Sequence, residues 1–187
     1  MPENPYIHPM WTGSERLILR EYTEDDFEPL FSILSDAEIM ANYPEPFDRD
    51  KVRLWIELNQ RRYVSCGYGL WAVVMKETDE LIGDCGLTIQ NIDGVLLPEI
   101  GYHINKQYWR RGYGSEAAAA VRDWAFENTD HGRLYSYMRS TNIASYSTAE
   151  SNGMKRVREY ESETNGTVYV YEITRTDWEK LKGIVDR

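Results

Sequence analysis

Cysteine and histidine are scarce in this chain. It has two cysteines, Cys66 and Cys85, whose spacing matches no C-x-x-C motif, so we expect no disulfide framework. Its three histidines, His8, His103 and His131, are scattered and form no H-E-x-x-H motif. Because zinc sites need clustered cysteine, histidine or carboxylate ligands, the sequence predicts no metal site.

Long apolar runs and a leader sequence are also missing. No apolar segment approaches the roughly 18 residues that a membrane-spanning helix needs. The first residues, MPENPYIHPMWTG, have neither a basic n-region nor an apolar core, so they are not typical of a secretory signal peptide. We therefore expect a cytoplasmic protein that does not bind a membrane.

The chain also lacks positive charge. Its 31 acidic and 21 basic residues give a formal net charge of −10. A general nucleic-acid-binding protein carries a basic face, so we expect no nucleic-acid partner. The negative balance is compatible with a cationic or amine ligand, and equally with a charge that serves solubility alone.

The remaining composition is that of a globular protein. Hydrophobic residues make up 42% and charged residues 28% of the 187 positions, which suits one domain over 1–187. Alternating and 3.6-residue periodicities predict an α/β fold after an irregular arm at 1–14. The predicted strands lie at 16–22, 69–75, 81–89, 95–104, 133–139, 154–161 and 167–174, and the predicted helices lie at about 24–40 (capped by Thr23 and Asp26), 48–64, 113–128 and 141–153, with a C-terminal helix capped by Thr176 and Glu179. The three strands between 69 and 104 are typical of an antiparallel meander.

The segment YWRRGYGSEAAAAV (108–121) indicates an anion-binding turn. Gly112 and Gly114 let the backbone approach a ligand closely, and the following helix offers free N–H groups and a positive dipole end. Arg110 and Arg111 add local positive charge. The same residues also fit an ordinary tight turn between a strand and a helix, and the pattern alone does not name the anion.

The dinucleotide fingerprint G-x-G-x-x-G/A matches this turn, but its context does not. In a dinucleotide fold the first glycine follows the strand almost directly, whereas here the polar connector NKQYWRR (105–111) intervenes. The next strand ends in Arg139, Ser140 and Thr141 rather than in an acidic residue. A phosphate loop of the Walker type is excluded because the turn has no Gly-Lys-Ser/Thr.

The longer segment PEIGYHINKQYWRRGYGSEAAAAVRDWAF (98–126) resembles the core of the GNAT superfamily of N-acetyltransferases. In that family a strand leads through a loop of the form Q/R-x-x-G-x-G/A into a helix, and this chain has W-R-R-G-Y-G at 109–114. Trp109 departs from the usual Gln or Arg. That departure is typical of a branch that resembles the ribosomal-protein N-terminal acetyltransferases.

A second motif supports the resemblance. Asn142 and Ser145, followed by Gly153 at the usual interval, match the N-x-x-S/A motif of the same family. The stretch ERLILREYTEDD at 15–26 is also similar to the ribosomal-protein branch. The resemblance covers roughly residues 14–175.

This resemblance implies a fold and a reaction. The fold is a mixed, mostly antiparallel α/β sheet of about seven strands with about four helices, which binds acetyl-CoA at a splayed strand pair. The reaction is acetyl transfer from acetyl-CoA to a primary amine by direct attack in a ternary complex. The acceptor is a protein N-terminal α-amine or a small-molecule amine, and a homodimer is left open. The alternatives are a non-catalytic acyl-CoA-binding module and, on the glycine pattern alone, a nicotinamide-dependent oxidoreductase.

Glu99 is the candidate general base. It lies in the otherwise apolar strand VLLPEIGYHI (95–104), where burial raises the pKa of a carboxyl group. Strand alternation places it on the same face as His103, which is an alternative base. A structural role for Glu99 fits the same pattern.

The resemblance also implies the partner of the leaving thiolate. Many family members have a Tyr seven residues after the motif Asn, but this chain has Ala149 there. Ser145 is therefore the candidate, and the neighbouring Tyr146 is an alternative that points about 100° away on a helix. Asn142 is expected to bind the pantetheine arm, although a helix N-cap explains it equally well.

The remaining implied contacts are with acetyl-CoA and with the amine. The backbone from Tyr102 to Ile104 is expected to pair with the pantetheine and to polarise the thioester carbonyl. The residues expected to line the pyrophosphate are Arg110, Arg111, Gly112, Tyr113, Gly114 and Ser115. Tyr43 and Trp71 are expected to shape the acceptor pocket, together with Tyr102.

Overall fold

A computed structural model describes residues 12–184, which form eight strands and five α-helices. The strands are Thr12–Gly13 (β1), Leu17–Arg20 (β2), Leu70–Met75 (β3), Leu81–Ile92 (β4), Val95–Ile104 (β5), Arg133–Arg139 (β6), Lys155–Ser162 (β7) and Gly166–Thr174 (β8). The helices are Phe27–Leu34 (α1), Arg49–Cys66 (α2), Tyr113–Asn128 (α3), Ile143–Ser151 (α4) and Arg175–Lys182 (α5), with 3-10 turns at Glu24–Asp26 and Lys106–Tyr108.

The strands form one sheet in the order β1-β2-β3-β4-β5-β6-β8-β7. Every neighbouring pair is antiparallel except β5 and β6, which run parallel and pair at Glu99 and Tyr135. The meander of β3, β4 and β5 and the mixed, mostly antiparallel sheet are thus confirmed. Among the strands of residues 12–184, β5 and β6 are the only neighbours that run in the same direction, and the candidate base Glu99 lies at their pairing.

Local capping explains where the second helix begins and ends. The Asp48 carboxylate accepts a hydrogen bond from the Lys51 backbone N–H at 2.8 Å, which satisfies one free donor of the first turn. The helix stops at Gly67, whose φ of 78° is left-handed and easily adopted only by glycine. The predicted helix at 48–64 therefore agrees with Arg49–Cys66 to within two residues.

Helix α1 is shorter than predicted. The box of Thr23 and Asp26 is present, but it caps the 3-10 turn, and α1 ends at Leu34 rather than near residue 40. Beyond it, the Asp36 carboxylate accepts hydrogen bonds from the N–H groups of Glu38 and Ile39. These bonds stabilise a separate turn in place of the helix.

Two further predictions at the chain ends are corrected. The N-cap of α5 is Thr174, whose hydroxyl accepts from the Asp177 N–H at 3.0 Å, so the predicted cap at Thr176 and Glu179 lies two residues too late. The predicted arm at 1–14 overlaps β1, since Thr12 pairs with Leu19. The rest of that arm, residues 1–11, lies outside the described residues.

The core lies between the sheet and its helices. Fully buried side chains include Leu17, Leu30, Ile82 and Val121, and burial of each contributes about 1.5–3 kcal/mol. Within residues 12–184, the helices are all too short or too polar to cross a bilayer.

Candidate active site

Strands β5 and β6 diverge beyond Glu99, and a cavity of about 410 Å³ opens where they part. A single Cα pair, Glu99 with Tyr135, joins the two strands. The cavity is lined from β5, β6, α4 and the segment between α1 and α2; among its lining residues are Tyr43, Glu99, Tyr102, His103, Asn142 and Ser145. The structure therefore brings five candidate side chains from distant parts of the sequence, and the alternative base His103, into one site.

The backbone of β5 faces this gap with free N–H groups. The His103 N–H donates to the Asp84 carboxylate of β4, and the Asn105 N–H donates to the Ile82 carbonyl, also of β4. Since successive residues of a strand direct their N–H groups to opposite sides, those of Tyr102 and Ile104 point into the gap. The Ile104 carbonyl already accepts a hydrogen bond from the Trp109 indole N–H at 2.7 Å. Of the two backbone groups of Ile104, the N–H is therefore the one left to bind a ligand in the gap.

Glu99 is a buried carboxylate that lines the cavity. It is 9% exposed, and burial raises its pKa to about 7. The Thr88 hydroxyl, directly across on β4, donates to Glu99 at 3.4 Å. This long hydrogen bond lowers the pKa of Glu99, but by less than burial raises it. A carboxyl group with this pKa exchanges protons readily near neutral pH.

His103 lies on the same face of β5, as strand alternation predicts, but both of its ring nitrogens have partners. Nδ1 is 2.7 Å from Asp84 Oδ1, and Nε2 is 2.8 Å from the Tyr43 hydroxyl. Burial lowers the pKa of His103, but the buried Asp84 carboxylate outweighs it, so the net pKa is raised. His103 therefore reaches the cavity through the hydroxyl of Tyr43.

Ser145 lies across the cavity on the first turn of α4. The Tyr102 hydroxyl is 2.9 Å from the Ser145 carbonyl and 3.1 Å from its Oγ, and burial raises the pKa of Tyr102 to about 12. The Asn142 side-chain oxygen accepts from the Ser145 N–H at 3.2 Å. Asn142 thus caps α4, and its side chain also borders the cavity.

Tyr146, the alternative to Ser145, and Ala149, which stands where many family members have a Tyr, lie elsewhere. Tyr146 packs against Tyr169 and Tyr171, with ring centroids 6.3 and 6.5 Å away. Ala149 is 2% exposed and belongs to the core. Neither lines the cavity, so Ser145 is the one of the three that does.

The glycine turn opens α3 with unpaired backbone donors. Gly112 has a φ of 80°, and the first bond of the helix runs from the Glu116 N–H to its carbonyl at 2.9 Å. Within residues 12–184, the N–H groups of 111–115 meet no protein acceptor. Arg110 also has a positive φ, 59°, a conformation that costs a non-glycine residue about 1–2 kcal/mol. The turn is thus held in a shape that presents donors to an anion.

A contact that the sequence did not reveal fixes this turn. The Glu116 carboxylate accepts from Ser14 Oγ at 2.6 Å and from the backbone N–H of Arg16 at 2.8 Å. The Arg16 guanidinium donates to the Arg111 carbonyl at 3.1 Å and lies 4.1 Å from the Tyr113 ring centroid. The edge of the sheet near β2 therefore holds both ends of the turn.

Trp71 does not line the cavity, although the sequence predicts that it shapes the acceptor pocket. Its side chain is fully buried, and its ring packs edge-on against Trp124 at 4.9 Å. Tyr43, by contrast, lines the cavity and is 37% exposed. Strand β3 buries both faces, so an aromatic residue on it belongs to the core.

Asp84 is the buried functional group that sequence reasoning missed. Its side chain is fully buried, and it accepts hydrogen bonds from Tyr22, Trp55 and His103. A single acidic residue within the apolar stretch LIGDCGL (81–87) was the available signal, since a buried charge needs a partner.

Known proteins share this fold. A family model described as an acetyltransferase (GNAT) domain matches residues 16–155. The chain is 33% identical over 163 residues to YkkB, an uncharacterized protein of Bacillus subtilis (strain 168), across 85% of this chain and 92% of that protein.

Two solved structures are similar over most of their lengths. A GNAT-family acetyltransferase from Bacillus anthracis has a TM-score of 0.78 at 24% identity, across 89% of this chain and 99% of that chain. The ribosomal L7/L12 α-N-protein acetyltransferase RimL, solved with coenzyme A, has a TM-score of 0.72 at 18% identity, across 86% and 95%. These likenesses show a common fold. Because the family model spans three quarters of the sequence and includes both the glycine turn and the Asn142 motif, this chain belongs to the GNAT family and is an acetyltransferase.

Proposed function

We propose that the protein transfers the acetyl group of acetyl-CoA to a primary amine by direct attack in a ternary complex. The acceptor is a protein N-terminal α-amine or a small-molecule amine. The observation that carries this proposal is the buried Glu99 carboxylate, with a pKa of about 7, in a cavity beside the free edge of β5. A base poised near neutral pH beside free backbone donors is what amine acylation requires.

The residues of the glycine turn fit the cosubstrate. The unpaired N–H groups of 111–115 and the positive end of α3 suit the pyrophosphate, and Arg110 and Arg111 are exposed beside them. The N–H groups of Tyr102 and Ile104 suit the pantetheine amides and the thioester carbonyl. When bound, acetyl-CoA supplies an activated acyl group.

Glu99 suits an α-amine as acceptor. Such amines have a pKa near 7.7–8.0, so they are partly neutral near pH 7 and need only a base with a pKa of about 7 to complete acylation. A lysine side chain, with a pKa near 10.4, needs more help. The fold shared with RimL, an α-N-protein acetyltransferase, supports the same choice.

Ser145 suits the leaving thiolate. Its hydroxyl lines the cavity on the first turn of α4, and the Tyr102 hydroxyl at 3.1 Å supports it. A hydrogen bond from Ser145 Oγ to the departing sulfur would stabilise the charge that develops there. Asn142 fixes the position of Ser145 through the cap of α4.

A non-catalytic acyl-CoA-binding module is the second candidate, and one observation favours it. Ala149 stands where many members of the family have a Tyr. Such a module would bind acetyl-CoA but acetylate no amine.

Calorimetric titration with acetyl-CoA, followed by turnover assays on a panel of amines, tests both functions. Gly112→Trp places a large side chain in the turn and is expected to abolish binding. Gly94→Trp is the matched control, because Gly94 has a φ of 79° and open space around it on the β4–β5 turn. Binding of acetyl-CoA without turnover of any amine would support the non-catalytic binding module. Absence of binding to the folded native chain would contradict both candidate functions.

A further inference from the structure

We propose that the Tyr43 hydroxyl is the group that contacts the acceptor amine, and that Asp84 and His103 orient it and receive a proton through it. This inference rests on the proposed N-acetyltransferase function. It assigns a second proton-accepting route beside Glu99, and it makes Tyr43 a catalytic residue and the other two positioning residues.

The order of these three groups follows from two distances. Asp84 Oδ1 is 2.7 Å from His103 Nδ1, and His103 Nε2 is 2.8 Å from the Tyr43 hydroxyl. His103 is 8% exposed, whereas Tyr43 is 37% exposed and lies on the segment between α1 and α2 at the cavity. Since both ring nitrogens of His103 are engaged, the hydroxyl of Tyr43 is the polar group of these three that remains open to an acceptor.

Asp84 fixes which nitrogen of His103 carries the proton. Its two oxygens accept from the Tyr22 hydroxyl at 2.8 Å, the Trp55 indole N–H at 2.9 Å and the His103 backbone N–H at 3.1 Å. Although burial raises the pKa of Asp84, His103 and the hydrogen bonds from Trp55 and Tyr22 lower it on balance, so the ionised carboxylate accepts and does not donate. Nδ1 of His103 must therefore be the donor to Asp84, and Nε2 of the neutral ring accepts from the Tyr43 O–H.

This direction of bonding sets what Tyr43 presents to a ligand. While its hydrogen points to His103, the lone pairs of its oxygen are left for the cavity. That arrangement accepts a hydrogen bond from the N–H of an ammonium group. When His103 is doubly protonated, Nε2 donates to the Tyr43 oxygen, and the hydroxyl hydrogen turns toward the cavity, where it repels the ammonium.

The proton step balances without a further reactant. One N–H proton of the ammonium passes to the Tyr43 oxygen as the Tyr43 hydroxyl proton passes to His103 Nε2. The products are a neutral amine with its lone pair free and an imidazolium paired with the Asp84 carboxylate. Tyr43 itself stays neutral, because desolvation of its hydroxyl against the buried His103 and the nearby Asp84 and Glu99 carboxylates raise its pKa.

Two proton acceptors match the stoichiometry of acylation. An ammonium loses one proton before it attacks the thioester and a second as the amide forms. In this arrangement the Tyr43 route takes the first proton and Glu99 takes the second. The route requires neutral His103, and the groups that face its ring are Asp84 on β4, Trp55 on α2, Tyr43, and Glu99 on β5 itself.

The chain offers a matched control for Tyr43. The Tyr68 hydroxyl lies 3.2 Å from His131 Nε2, and neither residue lines the cavity. Tyr68→Phe and Tyr43→Phe thus remove the same kind of tyrosine–histidine hydrogen bond, one outside the cavity and one inside it.

Nitrogen NMR of the full chain labelled at histidine tests the arrangement without any turnover, with His103→Gln to assign the signal. We expect the neutral His103 ring to carry its proton on Nδ1. We also expect addition of the probe alanine amide to shift its Nε2 signal in the native chain and in Tyr68→Phe, and to leave it unchanged in Tyr43→Phe. A proton on Nε2 of the neutral ring, or a shift that survives Tyr43→Phe, or no shift in the native chain, overturns the proposal.

Kinetics on the same variants separate this inference from the proposed function. With alanine amide as acceptor, Tyr43→Phe should lower kcat/KM at least about tenfold, flatten its rise with pH, and leave acetyl-CoA binding unchanged, while Tyr68→Phe changes none of these. Equal kinetics in the two variants overturn the role of Tyr43. If the native chain acetylates no amine, the proposed function fails, and the NMR result still decides whether Tyr43 contacts an amine.

Discussion

The Glu116 carboxylate lies 2.6 Å from Nε of Arg16, a residue 100 positions earlier in the chain. This ion pair joins the start of the sheet to the helix that follows the glycine turn. Since Arg16 also holds the Arg111 carbonyl, the pair limits how far the turn can move. A pyrophosphate that binds to backbone N–H groups depends on their fixed positions.

We therefore expect Glu116→Gln to weaken acetyl-CoA binding. Loss of the charge loosens Arg16 and the turn, and a loss of about 0.7–1.4 kcal/mol corresponds to a Kd raised about three- to tenfold. Calorimetry measures this change. Asp50→Asn, which breaks the exposed pair of Asp50 with Arg53, serves as control and should leave the Kd as it is. A Kd that is equal in both variants would show that the pair does not hold the turn.

Glu99→Gln should remove most of the acetyltransferase activity. The amide cannot accept the amine proton, so kcat is expected to fall roughly 10²- to 10⁴-fold, while acetyl-CoA still binds. In the native chain kcat should rise with pH through about 7, because Glu99 acts only when it is deprotonated. Steady-state rates from pH 5.5 to 9 and calorimetry on both chains measure these effects. A variant that keeps the native pH profile would contradict the role of Glu99.

The same carboxyl group makes the folded state sensitive to pH. Burial raises the pKa of Glu99 from 4.5 to about 7, so the folded chain binds a proton that the unfolded chain has released. The stability of the native chain is then reduced as the pH rises from about 4.5 to 7. Glu99→Gln lacks this penalty, and at pH 8 it should gain on the order of 2–3 kcal/mol relative to the native chain. Urea unfolding at pH 5 and pH 8 tests this, and a difference between the two chains that is the same at both pH values would refute it.

Ser145→Ala should slow the chemical step. If Oγ stabilises the leaving thiolate, its loss lowers kcat about ten- to a hundredfold with little change in acetyl-CoA affinity. Tyr146→Phe should leave kcat unchanged, because that side chain packs on Tyr169 and Tyr171 outside the cavity. Rates with a thioester whose leaving group is more acidic provide a second check, since they should depend less on Ser145. Equal rates in Ser145→Ala and the native chain would assign the thiolate to another group.

The candidate base could be predicted from the sequence because the pattern that indicates it lies within one strand. Strand alternation placed Glu99 and His103 on one face, and the glycine turn at Gly112 was marked by glycine itself. The contacts of Asp84 were not predictable, since Tyr22 lies 62 positions away and Trp55 lies 29 positions away. Local periodicity does not report which distant residues meet across a sheet.

The different positions of the two aromatic residues were also not predictable from local sequence. Tyr43 and Trp71 were equivalent in the sequence, as aromatic side chains near the expected acceptor pocket. Burial separates them, since β3 is covered on both faces whereas the segment between α1 and α2 borders the cavity. The burial of each residue is determined by how the helices pack against the two faces of the sheet, and the composition of the chain does not indicate that packing.

Substitutions of Trp71 therefore test whether this side chain belongs to the hydrophobic core or to the acceptor pocket. Trp71→Ala should cost about 3–5 kcal/mol of unfolding free energy, because it leaves a void beside Trp124. Trp71→Phe should cost much less, since it also removes an indole N–H that has no hydrogen-bond partner among the described residues. Urea unfolding measures both values. In the folded Trp71→Phe chain, KM for any amine acceptor should match the native value, and a KM raised by several-fold without loss of stability would return Trp71 to the acceptor pocket.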